Sequence, residues 1–590
     1  MIFRISSIIF LFAAASSAET VRPLIEQYGA DVSLLSRHYE IAGESGAAQD
    51  RHQKLLDGWL ARVQALNFAS LGIDEQVDAI LLRNEIERSR FRLEEQREIR
   101  RELAAWLPFR NTVDALADAR VHGDVLVPEK AAGALAPLSK IITKLRDGLK
   151  AAKEKEKRKL TAKPASLDAA AAKKSAPAIA LPTPEQALRA ADTSRDIAES
   201  LKRWFENYNG FLPEFGWWVK QPYDEMAKAL EEYGKYLREE IAGVKGKDED
   251  PLLGRAIGVP ALQRQLDQEF IAYTPAELIA LAEREFMWCE TRMKLASQEM
   301  KLGDDWKKAL ARVKLQHVKP GEQEALVRAE AKRAIAFVKG RDLVTVPPKC
   351  EEWWGTRMLP PQEQRHLPYA AYGGHDILVA YANEGMKHED KMMSMRGNNR
   401  SFTRNVVPHE LIPGHHLQRY MADRERPYRR MFYTPFLVEG WALYWEMRLW
   451  EMQYQATPED RIGALFWRMH RCARIIVTLK FHMGLMKPDE MVKFLVERVG
   501  HEKLGATSEV RRFIEAGGYS PLYQCGYMLG GLQLLALHGE LVGRGTMSEK
   551  EFHDEILKLG PIPVELIRAS LLRQSPGADF KTQWKFDAGN

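Results

Sequence analysis

His409-Glu410-Leu411-Ile412-Pro413-Gly414-His415-His416 carries the parts of a metallopeptidase helix with its second ligand displaced. In the usual H-E-x-x-H helix, two histidines one turn apart reach the same metal, and the glutamate between them takes the proton of the attacking water. Here the residue one turn after His409 is Pro413, which ligates nothing. In an unbroken helix His416 would stand roughly 10.5 Å along the axis from His409. That is too far for two imidazoles that must each come within about 2.1 Å of one ion. The helix is therefore predicted to break between them. Pro413 lacks the N–H that would bond back to the carbonyl of His409, and Gly414 tolerates backbone geometry that other residues avoid. The chain can then fold back and present His415 or His416.

Downstream, Glu439-Gly440-Trp441-Ala442-Leu443-Tyr444-Trp445-Glu446 reads as an apolar, aromatic helix that begins with a carboxylate. A catalytic zinc takes three protein ligands and keeps one position open, and two histidines with Glu439 meet that count. Glu446 lies two turns on, on the same face but too distant to ligate the same ion, so at most it supports a ligand. An isolated histidine–glutamate pair on a helix is usually plain surface. Two histidines flanking a helix break, joined to a glutamate placed as base and a second helix opening with Glu-Gly-Trp, point to a metal site.

These stretches, His409-Glu410-x-x-Pro413-Gly414-His415-His416-Leu417-Gln418 and Glu439-Gly440-Trp441-Ala442, resemble the bacterial domain-of-unknown-function family 885. The resemblance spans most of the chain beyond its leader, with the specific motifs between about Tyr369 and Leu535. It implies a zincin-like (gluzincin-type) zinc metallopeptidase, and it favours His415 over His416 as ligand. Arg474 through Val477, leading to His482-Met483-Gly484, also resembles the family, although Thr478 stands where its members usually carry an aspartate. Pro521-Leu522-Tyr523-Gln524 departs from the family's proline-glycine-glutamine, so the role of that glutamine does not transfer. A zinc peptidase needs a donor to stabilise the developing oxyanion. Tyr527 and His482 are the expected donors.

The 590 residues carry a formal net charge of +5, small for this length and partly local, so no nucleic-acid footprint is implied. Residues 1–18, a short basic start, an apolar run and Ser16-Ser17-Ala18, form an expected signal peptide cut after Ala18. A periplasmic or extracellular protein follows, without stable membrane insertion after cleavage. No cysteine stands at the cleavage site to carry a lipid anchor. Cys289, Cys350, Cys472 and Cys525 lack C-x-x-C spacing; disulfides are permitted in that compartment, but no pairing is assigned.

Residues 19–149 show helical periodicity, as at Val77, Ile80 and Leu81. Residues 150–184 turn to Lys, Ala, Glu and Pro, including Lys153-Glu154-Lys155-Glu156-Lys157-Arg158-Lys159, and read as a charged low-complexity insertion. Residues 185–590 are the expected catalytic region. Within it Thr274-Pro275-Ala276-Glu277 is an N-terminal capping box with proline at the first helical position. Leu343 to Pro348, Tyr369 to Gly374 and Ile377 to Tyr381 favour short strands and turns. The segment from Tyr372 to Tyr381 could lay extended substrate along an edge strand beside the metal helix. The expected fold is mostly α: a large multi-helix zincin-like body with a small β-sheet beside a deep cleft.

The site predicts peptide-bond hydrolysis of a peptide or protein substrate. Zn2+ held by His409, His415 and Glu439 would polarise the carbonyl and activate water, and Glu410 would carry the proton to the leaving amine. Endopeptidase and exopeptidase action look alike at these residues, and oligomeric state is not legible. Hydrolysis of another amide or ester would use the same groups. A non-catalytic peptide-binding protein on the same scaffold would be free to lose Glu410. No G-x-S-x-G elbow supports a serine hydrolase.

Overall fold

Thr274 caps the helix Pro275–Glu299 as its sequence predicts: the hydroxyl accepts from the Glu277 N–H at 3.2 Å, and the Glu277 carboxylate accepts from the Thr274 N–H at 2.7 Å. The same logic of caps, N1 prolines and apolar stripes recurs along the chain. In the computed structural model 71% of the residues are helical and a single three-stranded sheet is present, which gives a mostly α, multi-helix body. The structure describes residues 21–161, 179–247, 250–364, 366–514 and 519–587. The expected signal peptide and residues 162–178 of the low-complexity insertion lie outside these residues; the first part of that insertion continues the helix Pro128–Thr161. Among the described residues no helix is long and apolar enough to cross a membrane.

Three hydrophobic cores organise the body. One joins Pro275–Glu299 to Pro458–His482 and Lys503–Ile514. A second brings N-terminal residues such as Leu24, Trp59 and Ile80 against Trp441 and Trp445 of the helix Pro435–Glu451 and Leu534 of Tyr523–Leu541. The third is built within residues 103–253. The helices that carry the candidate site run between the first two cores, so both must be complete before the site is.

The sheet has strand order β1-β3-β2, with β1 Gly355–Met358 parallel to β3 Asp376–Val379 and β2 Ala370–Tyr372 antiparallel to it. Ile377 and Val379 point down onto Val407 and Leu411, which seats the sheet on the helix that ends at Glu410. Two strand expectations need correction. Leu343 to Pro347 is irregular, because Thr345 bonds through its N–H and hydroxyl to Asp554 and Pro348 opens the short helix Pro348–Glu352. The third strand is Gly355–Met358 instead. β1 and β2 are the edge strands, and β2 is the one beside the helix break, whereas β3 is central and paired on both sides.

Candidate metal centre

The helix Arg400–Glu410 ends where the sequence predicts, and after the turn Leu411 to Gly414 the next helix, His415–Ala422, begins. The turn is tied down by the Gly414 N–H to Pro408 O at 3.0 Å and the His416 N–H to Leu411 O at 3.0 Å. Trp441 Nε1 donates to Pro413 O at 2.9 Å, joining the turn to the helix Pro435–Glu451. Gly440 gives that helix its close approach to Tyr523–Leu541: a Cβ there would stand 2.6 Å from the Gly530 backbone. The three residues of Glu439-Gly440-Trp441 thus serve different ends: the first brings a carboxylate to the site, the second lets two helices meet closely, and the third tethers the turn.

The break swings His415, not His416, towards His409. The two imidazole rings meet edge to face with centroids 4.8 Å apart. Glu439 Oε2 stands 3.1 Å from His415 Nε2 and 3.7 Å from His409 Nε2. Ligand atoms around a tetrahedral zinc at 2.0–2.1 Å are about 3.3 Å from one another, and both distances to Glu439 Oε2 are close to that value. Glu439 Oε2 is buried without a hydrogen-bond partner among the described residues, while Oε1 accepts from the Tyr523 hydroxyl. His416 is excluded as a ligand. Its Nε2 donates to Cys350 O at 2.9 Å, and its Nδ1 stands 3.1 Å from the Tyr372 hydroxyl.

Glu446 reaches His409 and not Glu439's position, as its two-turn spacing implies. Its Oε1 accepts from His409 Nδ1 at 2.7 Å, which fixes the tautomer and leaves Nε2 free to bind a metal. Asn405 Nδ2 donates to Glu446 Oε2 at 2.7 Å, and the Arg471 guanidinium lies 3.6 Å from Oε1. Burial works to lower the His409 pKa, but the adjacent carboxylates of Glu439 and Glu446 push it up to about 9. Burial would likewise raise Glu439, yet the charges of His415 and His409 hold its carboxyl well below the usual range. Replacing Glu446 by Gln is expected to weaken zinc affinity by about 10–100-fold, measured by competition with a chromophoric chelator.

Glu410 shares the cavity with these groups and is 7% exposed, and burial raises its pKa. Candidate ligand atoms of His409, Glu410 and His415 all lie within 4.8 Å of one another. Glu439 is the better third ligand, because a single oxygen of it approaches both Nε2 atoms; Glu410 is then left free beside them. Tyr527 also lines the cavity, its ring stacked at 10° on His409 with centroids 6.0 Å apart, and burial pushes its phenol up to about 12. It therefore stays a donor.

His482 does not join the site. It ends the helix Pro458–His482 and lines a separate cavity with Arg255 and Ile257. Eight residues beyond Arg474, it sits about 12 Å further along the same helix. Tyr523, Arg471, Asn405, Glu509 and Arg512 were not singled out by the sequence. Asn405, one turn before His409, was the one with a local signal. The four cysteines are buried and free.

The chain matches the family described as bacterial protein of unknown function, DUF885, over residues 35–571. The protein belongs to that family. Among solved structures it is similar to a candidate lipoprotein of unknown function from Shewanella oneidensis, with 17% identity and a TM-score of 0.66 over 94% of this chain and 100% of that one. A candidate lipoprotein from Colwellia psychrerythraea aligns with 15% identity and a TM-score of 0.57 over 95% and 99% of the two chains. These likenesses place the fold. No curated protein matches the chain.

Proposed function

We propose that this DUF885 protein is an exported zincin-like zinc metallopeptidase. The observation that carries the reading is the orphaned Glu439 Oε2 lying between His409 Nε2 and His415 Nε2, with the Glu410 carboxylate beside them. His409, His415 and Glu439 would hold Zn2+, which when bound polarises a carbonyl and makes water a nucleophile near neutral pH. Glu410 accepts the proton of the attacking water and delivers it to the leaving amine; its buried position raises its basicity towards that role. The Tyr527 phenol supplies a donor to the developing oxyanion. His482 is too far along its helix to share this role.

The edge strand β2 suits an extended substrate. Tyr369 O accepts from Ala380 N–H at 2.7 Å and Gly373 N–H donates to Asp376 O at 2.8 Å. By antiparallel alternation, the N–H and C=O groups of Ala370 and Tyr372 point away from β3, at the free edge. Both residues line the cavity of the metal cluster. A peptide added there gains main-chain hydrogen bonds without dependence on its sequence. An exported location rests on the leader-like N-terminus and on the lipoprotein descriptions of the two structural relatives.

Metal analysis of the parent, His415→Ala and His416→Ala tests the ligand set. About one zinc per chain is expected in the parent and in His416→Ala, with loss in His415→Ala. Cleavage of a peptide library should stop on chelation and return with zinc. A parent protein that takes up no zinc would end this reading.

A further inference from the structure

The wall of the metal cavity across from the imidazoles is cationic. The helix Pro458–His482 presents Arg471 and Arg474, and the helix Lys503–Ile514 presents Glu509 and Arg512, all lining the same cavity of about 240 Å³. Arg471 is engaged by Glu446. Arg474 and Arg512 must share one carboxylate: Arg474 Nη2 donates to Glu509 Oε2 at 2.7 Å, and Arg512 Nη1 donates to Glu509 Oε1 at 3.1 Å. Glu509 is fully buried and Arg474 is 2% exposed. Arg474 Nε and Nη1 and Arg512 Nε are buried without a hydrogen-bond partner among the described residues. A guanidinium offers five N–H donors, and leaving several of them unpaired in a buried wall is costly unless a ligand takes them up.

The neighbouring histidines do not change this balance. His501 Nε2 and His470 Nδ1 are 2.9 Å apart, and His470 Nε2 stands 3.4 Å from Glu509. Burial pushes His501 down to about 3 and His470 well below its ordinary value, so both are neutral and act as props for Glu509. Among the described residues these two guanidiniums share the single carboxylate of Glu509, and three of their nitrogens stay unpaired in the wall. The other carboxylates that line the cavity, Glu410 and Glu439, belong to the histidine cluster.

The position of the two guanidiniums relative to the site is informative. The Tyr527 ring lies 6.0 Å from the His409 ring and 4.3 Å from the Arg474 guanidinium carbon. The guanidinium is therefore within the span of about two to three extended residues of the metal cluster. On the other side, a larger cavity of about 670 Å³, lined by Ile25, Met431 and Val438 among others, shares His415, Tyr372 and Tyr433 with the first. The cluster sits where a roomy, largely apolar space meets a small cationic one. The small one is below the roughly 300–1,000 Å³ of sites that enclose a drug-sized ligand.

Building on the metallopeptidase reading, we propose that Arg474 and Arg512 bind a carboxylate of the substrate one or two residues beyond the scissile bond, so that the enzyme removes one or two residues from a free C-terminus. Water adds across that bond, its hydroxyl going to the carbonyl carbon and its proton to the leaving amine, and the released amino acid or dipeptide departs from the arginine-lined side.

Calorimetric titration of the zinc-loaded full chain carrying Glu410→Gln tests this without turnover. The ligands are acetyl-Ala-Ala-Ala with a free C-terminus, the same peptide as its amide, and acetyl-Ala-Ala-Asp amide. The free acid is expected to bind about 10–100-fold more tightly than the alanyl amide. Arg474→Met in the same background should erase the difference, and Arg474→Lys should restore part of it. The acid–amide comparison needs neither substitution to fold. A preference for the aspartyl amide over the free acid would retain the carboxylate site but overturn the C-terminal assignment. Equal affinity for all three would overturn the proposal. Acid-selective binding by a parent protein that cleaves no peptide would leave this site standing and refute the peptidase reading.

Discussion

Glu410→Gln is expected to bind zinc as the parent does and to lose hydrolysis by about 10²–10⁴-fold in kcat. The substitution keeps the size and shape of the side chain and removes its basicity. Metal content is the discriminating readout, because two carboxylates stand near the imidazoles. Glu439 places one oxygen 3.1 and 3.7 Å from the two Nε2 atoms, and Glu410 lies in the same group of potential ligands. If Glu439 ligates and Glu410 is the base, Glu439→Gln gives the reverse pattern, with zinc affinity falling first and activity following it. A Glu410→Gln protein that has lost its zinc would exchange the two roles. Metal retained with full activity would remove Glu410 from the mechanism. KM should change little, since the proton transfer is made in the transition state and not in binding.

The parts of the site that could be read from sequence are those joined by covalent proximity. Pro413 and Gly414 announced the helix break because proline and glycine act on their own backbone, and the structure ends one helix at Glu410 and starts the next at His415. Glu446 could be given a supporting role because helical rise alone excludes it from an ion bound by Glu439. His415 and His416 could not be separated from the residues alone. Their distinction depends on what each ring meets, Glu439 in one case and the Cys350 carbonyl in the other, which lie 24 and 66 residues away.

The same limit explains the remaining misses. His482 shares a helix with Arg471 and Arg474, and a sequence pattern gives helical phase but not which turn of the helix passes the metal. The three-stranded sheet was partly legible, since β2 falls within the Tyr369–Gly374 run and β3 overlaps the Ile377–Tyr381 run. The Pro347-Pro348 pair and the anchoring of Thr345 by Asp554 moved the remaining strand to Gly355–Met358. The cationic wall was only partly legible: Arg474 stood in a segment that resembles the family, but Glu509 and Arg512 come from a second helix whose register against the first is set by packing, and each is ordinary within its own segment.

The turn that separates His409 from His415 should be the least tolerant point of the site, and Gly414→Ala is expected to destabilise the protein by about 3 kcal/mol or more. A Cβ at position 414 would stand 1.9 Å from His409 O and 2.6 Å from Pro408 O. Both obstacles are backbone, so no side-chain rotation relieves the overlap. His409 cannot retreat either, because its ring is held by Glu446 and packed against Tyr527. The overlap must therefore be relieved by moving the turn itself, which shifts His415 and breaks the spacing of the three ligand atoms. Thermal unfolding with and without a chelator separates the two consequences: the variant should melt below the parent even in chelator, where lost zinc cannot account for the difference. Gly539→Ala is the control, since a Cβ there meets nothing within 4 Å and the position is helical and exposed. That change should be neutral or stabilising by up to about 1 kcal/mol. Equal behaviour of the two variants would mean that the turn yields freely, and the ligand geometry could not then be attributed to its close packing.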